Sequence, residues 1–387
     1  MISYGKQSID SRDIEAVVSV LKGDWLTQGP YVENFENDLK NYFGSKYSCA
    51  VANGTAALHL AGLALGWESG DIIVTSPITF LASANSIIYS DGTPDFVDID
   101  SSSFTIDPNL LEEKLIAYNS KGQKIKAVIG IDFAGHPCDW KSLNYLSKKY
   151  NFQLINDNCH ALGAAYNNDI TYAAKYADIV IQSFHPVKHI TTGEGGSVLT
   201  NNIEIIEEVE LYRTHGMTKD RSRLEKNDGP WYYEMHKVGF NYRLTDFQAA
   251  LGSSQLKKLD KFVKKRTNIA NFYDEFFLQF ENIYSPQRDN SINHSFHLYP
   301  LKINFEKFSI SKSEFFRQLR TEGINLQVHY IPVHLQPFYK KNFKFNKGDF
   351  PISENFYEQE ISLPIFPDLS EDDLKFVCNK IKNILFE

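Results

Sequence analysis

From about residue 50 to 200, short runs of β-branched and other apolar residues alternate with longer segments. In the longer segments, apolar positions recur every three or four residues. "YSCAVAN" leads into "TAALHLAGLALG", "DIIVTSP" into "TFLASANSIIYSDG", and "PDFVDID" into "PNLLEEKLIAYNS". "KAVIGIDFAG" precedes "DWKSLNYLSKKYN", and "FQLINDN", "ADIVIQSF" and "GSVLTN" follow. The short runs are nearly continuous in hydrophobicity, as strands are when both faces of their sheet are covered. The alternation predicts an α/β fold, a mostly parallel central sheet with helices on both sides. In such sheets ligands sit beyond the carboxyl ends of the strands.

The pattern changes after "VGFNYRLTDFQAALGSSQLKKLDKFVKKRTNIANFYDEFF" (238–277), which reads as one long helix or two in succession. Beyond it "FHLYPLKINF" and "INLQVHYIPV" read as strands and "SKSEFFRQLRTEG" as a helix. "SEDDLKFVCNKIKNILF" reads as an amphipathic helix opened by a serine cap. The organisation expected is an N-terminal arm over 1–30, a large domain over 31–254 and a smaller α/β domain over 255–387.

Composition narrows the possibilities. Hydrophobic residues make up 42% of the chain and aromatics 14%, enough for a buried core rather than disorder. The net charge is −8, and the densest basic stretch, "KKLDKFVKKR" (257–266), is interrupted by acidic and apolar residues. It reads as the solvated face of a helix, so nucleic acid is not expected as a partner. The four cysteines have no CxxC spacing, which argues against a zinc site and a disulfide framework. The polar start "MISYGKQSIDSRD" and the lack of an apolar run near ~20 residues predict neither a signal peptide nor a membrane span. A cytoplasmic protein is the expectation.

The chemistry gathers at the strand ends. Asn53, Gly54, Thr55 and Ala56 lie between a strand and a helix, where free amides and the Thr55 hydroxyl suit a phosphate. A plain capped turn would carry the same residues. Phe80, in "PITFLASAN", is expected in the first turn of the next helix, either as core or as a platform for a flat ring. Asp157 closes the strand "LINDN", with His160 three residues later. A buried carboxylate there needs a cation or strong donors. A protonated heteroaromatic nitrogen would serve, and a helix cap is the other reading.

Lys188 stands in "SFHPVKHITTGEGG", between an extended stretch and a glycine-rich turn. A partly dry lysine has a lowered pKa and can form a Schiff base with an aldehyde. Ser183, five residues earlier, adds a second phosphate ligand. Aldehyde, phosphate, pyridinium partner, stacking ring and lysine together describe pyridoxal 5'-phosphate. No GxxxxGK[ST] occurs and no GxGxxG follows the first strand, which disfavours nucleoside triphosphate and nicotinamide chemistry. His185 and His189 flank a proline without suitably spaced carboxylates, so no metal site is expected.

The chain resembles the DegT/StrS-type sugar aminotransferases, pyridoxal-phosphate enzymes of fold type I, over nearly its whole length. The likeness is carried by "WLTQGPYVENFE", "NGTAALHLA", "PITFLASAN", "DFVDID", "NDNCHALGA", "SFHPVKHITTGEGG", "VGFNYRLTDFQAALG", "VHYIPVH" and "ISLPIFP". The resemblance implies that Lys188 bonds the cofactor, Asp157 partners its ring nitrogen and His160 lies near its phenolic oxygen. It implies Phe80 as the stacking ring, and Gly54, Thr55, Ala56 and Ser183 as the phosphate cradle. Asn241, in "FNYR", matches an asparagine that reaches the phosphate of a neighbouring subunit's cofactor. A homodimer with shared active sites is implied.

Finer details ("DFAGHP", "CHALGAAY", "RTHGM", "QVHYIPVH") resemble the members that aminate UDP-4-keto-6-deoxy-N-acetylhexosamines with L-glutamate in pseudaminic acid biosynthesis. That likeness puts the sugar against Lys6, against Leu26, Thr27, Gln28 and Gly29, and against Gln327, Val328, His329 and Tyr330. Arg243 is expected, from its type and position, to hold the donor carboxylate. The rival activities are amination of a 4-amino-arabinose, perosamine or bacillosamine precursor, and sugar 3-dehydration. The dehydratases resemble "HHITMGEGG" where this chain reads "KHITTGEGG". Lysine in the first of the two positions favours transamination.

Overall fold

Seven strands form the central sheet of the structure, a computed structural model that describes residues 1–289 and 291–386. They are β1 (Tyr47–Val51), β2 (Ile72–Thr75), β3 (Thr93–Phe96), β4 (Ile125–Ile131), β5 (Gln153–Asp157), β6 (Ile179–Ser183) and β7 (Gly196–Thr200). Across the sheet the order is β1-β7-β6-β5-β4-β2-β3. The pairs among β2, β3, β4, β5 and β6 are parallel, and β7 is antiparallel to both neighbours. No helix separates β6 from β7, so the chain has no crossover to restore its direction and returns alongside β6. The returning loop carries Lys188 at the carboxyl end of β6.

Successive residues of each strand point to opposite faces, and both faces are buried. Ala50, Val128, Leu154, Val180 and Leu199 belong to one core cluster. Their neighbours Val51, Ile129, Ile155, Ile181 and Val198 belong to the other. This is why the strands read as continuous apolar runs.

The helix Pro30–Phe43 begins with proline at its first position and glycine at its N-cap, so no local side chain caps it. Asp246, fully buried, supplies the cap from a distance. Its carboxylate accepts the N–H groups of Gly29 at 2.8 Å and Tyr31 at 2.9 Å. A Cβ on Gly29 would stand 2.5 Å from Trp25 Cβ, so this close approach requires glycine.

The stretch 238–277 contains two successive helices, Asp246–Leu256 and Leu259–Phe277. Beyond them a three-stranded antiparallel sheet joins Ile283–Tyr284, Tyr299–Ile303 and Glu360–Leu363. The helices Lys312–Thr321 and Glu371–Phe386 cover it, around a separate core that includes Leu301, Phe315, Ile361 and Val377. Ser370 Oγ accepts the N–H of Asp373, the expected serine cap.

Two predicted strands are shorter than their patterns. "INLQVHYIPV" is a strand only at Ile324–Asn325, where it pairs in parallel with Ile2–Ser3. Its remaining residues leave the ladder, and Gln327–Tyr330 turn to line a cavity. "PDFVDID" leaves the sheet after Phe96, and Asp98 turns to the start of the helix Pro351–Gln359. There its carboxylate accepts the N–H groups of Ile352 at 2.8 Å and Ser353 at 2.9 Å. Among the described residues no helix is long and apolar enough to cross a membrane.

Candidate active site

The carboxyl ends of β1, β5 and β6 open into a cavity of about 660 Å3. One wall is the start of the helix Gly54–Ala64. Asn53 caps it, its Oδ1 accepting the Ala56 N–H at 2.8 Å. Ala56 is therefore already paired, whereas Gly54 and Thr55 line the cavity with first-turn amides that have no intrahelical acceptor. Gly54 presses on the end of β6, and a Cβ there would stand 2.9 Å from Ser183 Cβ and 3.2 Å from Ser183 Oγ. Amides, the Thr55 hydroxyl and the Ser183 hydroxyl form one concave, anion-accepting surface. Gly54→Ala is expected to push Ser183 out of this surface and weaken pyridoxal-phosphate affinity about tenfold, as titration of the cofactor-free protein by absorbance will read.

Asp157 ends β5 and is buried at the cavity wall. Its Oδ2 accepts from Ser83 Oγ at 2.7 Å and its Oδ1 from the Cys159 N–H at 3.3 Å. Ser83, having given its proton to Asp157, takes one from Thr79 Oγ1 at 2.8 Å. No helix follows Asp157 directly, so it is not a helix cap; the carboxylate is held by hydroxyl and amide donors against the cavity.

Lys188 lies in the turn after β6, its backbone N–H donating to His185 O at 2.9 Å. It is the lysine of the cavity wall. Burial pushes its pKa down, opposed by the nearby Cys159 and Asp157, and the unprotonated amine is the nucleophilic form. The neighbouring His189 is buried away from the cavity, Nε2 bonded to Ser295 O at 3.0 Å. Among the described residues no group of three His, Cys, Asp or Glu could hold a metal ion.

His160 is buried and its Nδ1 accepts the Ala134 N–H at 3.3 Å. Burial first, then the charge of Lys188, holds its pKa well below the usual histidine range. Neutral and accepting at Nδ1, the ring carries its proton on Nε2, which lies 3.2 Å from Tyr330 Oη. Tyr330 accepts that proton's hydrogen bond and keeps its own for another acceptor; burial pushes its pKa up.

Phe80 is the N-cap of the helix Leu81–Tyr89 rather than part of its first turn, with φ −67° and ψ 147°. Its extended backbone swings the ring outward, 57% exposed, over the cavity and 6.0 Å from the Tyr330 ring. That exposure suits a platform and not a core residue.

Gln327, Val328, His329 and Tyr330 all line the same cavity. Lys6, Leu26, Thr27 and Gln28 are exposed and outside it, as is Asn241; Gly29 and Arg243 are half-buried and also outside. Leu26 O accepts the Asp246 N–H at 2.9 Å, and Arg243 pairs by backbone with Val51. The cavity also includes Tyr4, Ser83, Glu194 and His297, which sequence patterns did not single out. Ser83 lies three residues after Phe80, a spacing that a helical reading from the strand end could have used. Tyr4 and His297 arrive from distant segments and carry no local signal; the His297 ring rests 4.3 Å from that of His160.

The sequence profile of the DegT/DnrJ/EryC1/StrS aminotransferase family matches residues 7–382. The chain belongs to that family. It is 39% identical over 388 residues to the UDP-4-amino-4,6-dideoxy-N-acetyl-beta-L-altrosamine transaminase of Campylobacter jejuni, covering 100% of this chain and 98% of the relative. Helicobacter pylori PseC, an aminotransferase described as involved in the biosynthesis of pseudoaminic acid, superposes with a TM-score of 0.89 at 32% identity, covering 99% of each chain. The PMP form of a putative sugar aminotransferase, Spr1654 of Streptococcus pneumoniae, does so with a TM-score of 0.89 at 28% identity over 99% of each chain. The protein is a sugar aminotransferase of fold type I, and its cofactor is pyridoxal phosphate.

The cavity fits that cofactor. A phosphate matches the Gly54–Thr55–Ser183 surface, a protonated ring nitrogen matches Asp157, and an aldehyde matches the Lys188 amine. The exposed Phe80 ring at the cavity would give the cofactor ring a face.

Proposed function

We propose that this enzyme moves the amino group of L-glutamate to the 4-keto carbon of a UDP-linked 4-keto-6-deoxy-N-acetylhexosamine, in pseudaminic acid biosynthesis. The observation that carries the proposal is end-to-end similarity to a transaminase whose name specifies that kind of product. When bound, pyridoxal phosphate supplies an aldehyde for amine exchange and a ring that takes up the electrons released at the substrate carbon. Lys188 Nζ anchors the cofactor and, once displaced, carries the proton to and from the donor's α-carbon. The Asp157 carboxylate keeps a proton on the ring nitrogen. Gly54, Thr55 and Ser183 hold the phosphate, Phe80 covers the ring, and His160 orients the Tyr330 hydroxyl at the cavity wall.

Gln327–Tyr330 contact the sugar in this reading. The remaining residues implied for substrate and cofactor, Lys6, Leu26–Gly29, Asn241 and Arg243, stand outside the cavity of one chain. Their position supports a homodimer in which each subunit's exposed loops complete its partner's site. The arm 1–30, the large domain 31–254 and the small domain 255–387 are the working units of that assembly, and the cytoplasm its location.

The test follows the absorbance of the protein reconstituted with pyridoxal phosphate. L-glutamate is expected to bleach the visible band, and UDP-4-keto-6-deoxy-N-acetylhexosamine to restore it. A band that returns only with a GDP- or 4-keto-pentose substrate would move the enzyme to a perosamine or 4-amino-arabinose type.

A further inference from the structure

Behind His329 lies a closed set of hydrogen bonds that decides which ring nitrogen carries the proton. The His329 backbone N–H donates to Glu360 Oε2 at 2.9 Å, and the ring Nδ1 stands 2.8 Å from Ser362 Oγ. Ser362 Oγ in turn stands 2.5 Å from Glu360 Oε1. A serine hydroxyl has one proton, and an ionised carboxylate only accepts. While Glu360 is ionised, the Ser362 proton therefore goes to Glu360, and Nδ1 must donate to Ser362. The ring is neutral, because burial first and the charge of Lys188 second bring its pKa down to about 3. Neutral with its proton on Nδ1, His329 has a bare Nε2, which has no hydrogen-bond partner among the described residues. The ring lines the cavity, with the rings of Tyr4 at 5.1 Å and Tyr330 at 4.8 Å beside it.

We propose that Glu360 is a positioning residue that, through Ser362, holds His329 as the Nδ1–H tautomer, so that Nε2 accepts a hydrogen bond from a hydroxyl or N–H of the sugar substrate. This rests on the proposal that Gln327–Tyr330 contact the sugar. Tyr330, whose hydroxyl proton is left over by His160, stands next in the chain as a donor. The two neighbours offer an acceptor and a donor side by side, a match for a group or pair of groups that both gives and takes a hydrogen bond.

The arrangement can reverse. Glu360 is fully buried, and burial raises its pKa, against the pull of Ser362, Lys312 and the His329 amide. Lys312 faces it from the helix Lys312–Thr321, and Lys302 is its partner across the strand pair. Lys188, His160, Tyr4 and Tyr330 are titratable groups on the His329 side. A protonated Glu360 donates to Ser362, whose proton then turns to Nδ1, and the imidazole proton moves to Nε2. An acceptor becomes a donor. For the sugar, kcat/KM is therefore expected to fall as pH drops through the Glu360 pKa, because the tautomer that accepts is present only above it.

Glu360→Gln tests this. The His329 N–H still needs the side-chain oxygen, so the new amide N–H2 faces Ser362 and fixes the reversed chain at every pH. Nitrogen NMR of the histidine-labelled protein, with the His329 signal assigned by its loss in His329→Asn, is expected to show a change of tautomer. The KM for the sugar is expected to rise about tenfold, that for L-glutamate to stay within about twofold, and the acid limb of the sugar profile to vanish. An unchanged tautomer, or an equal rise in both KM values, overturns the proposal. If Glu360→Gln does not fold, Ser362→Ala must give a mixed tautomer signal, and an unchanged signal has the same meaning. Should the native enzyme reject the UDP sugar, the functional proposal fails, while the NMR result still decides the tautomer.

Discussion

Lys188→Ala is expected to lower turnover by about 10^4-fold or more, the scale on which loss of both a covalent anchor and a proton carrier is felt. The side chain is the lysine of the cavity wall, and burial lowers its pKa toward the free amine. Two neighbouring cavity groups are poorly placed to take over: Cys159 has its pKa pushed well up by burial, and His160 is held between Ala134 and Tyr330. Lys188→Arg separates charge from nucleophilicity. It keeps a cation in the same place, but a guanidinium stays protonated and cannot exchange with an aldehyde. Both variants are expected to bind pyridoxal phosphate through the Gly54–Thr55–Ser183 surface and yet show no bleaching of the visible band by L-glutamate on the native time scale. Product formation measured by chromatography at more than about one hundredth of the native rate in either variant would remove Lys188 from the chemistry.

The second large effect is expected at Asp157. Asp157→Asn preserves shape, and the amide oxygen can still accept from Ser83 Oγ, so the fold should hold. What it loses is the negative charge that keeps the ring nitrogen protonated. A preorganised charge in a dry site contributes roughly 10^2–10^3-fold to rate, and kcat should fall by about that much with cofactor affinity changed far less. The urea midpoint is the control. If stability and kcat fall together, Asp157 is a structural anchor for Ser83 and Thr79 and its catalytic role is withdrawn.

The strands of the central sheet and the helices between them could be read from the chain because both patterns are local. A run such as "KAVIGI" or "DIVIQS" shows its burial on both faces in consecutive letters, and "PNLLEEKLIAYNS" spans the observed helix Pro108–Ser120 end to end. That Gly54, Thr55, Asp157, Ser183 and Lys188 meet at one cavity was legible for the same reason. Parallel strands deliver their carboxyl ends to one edge, so the residues after each strand become neighbours. Where a local pattern served two purposes it misled. "INLQVHYIPV" alternates like a strand, yet from Gln327 onward its side chains answer to the cavity and to Ser362 and Glu360, and the ladder stops at Asn325.

What the sequence by itself determined is the class of fold, the family and its pyridoxal-phosphate cofactor, because periodicity and motifs lie within short stretches of chain. Only the tertiary structure decided that β7 runs against its neighbours, that Tyr4 and His297 join the site, and that Lys188 lines the cavity while His189 does not. It alone decided the protons of His160 and His329. A histidine's tautomer follows from the donors and acceptors that meet its two nitrogens, here Ala134, Tyr330, Ser362 and Glu360, and those partners lie 26 to 170 residues away along the chain.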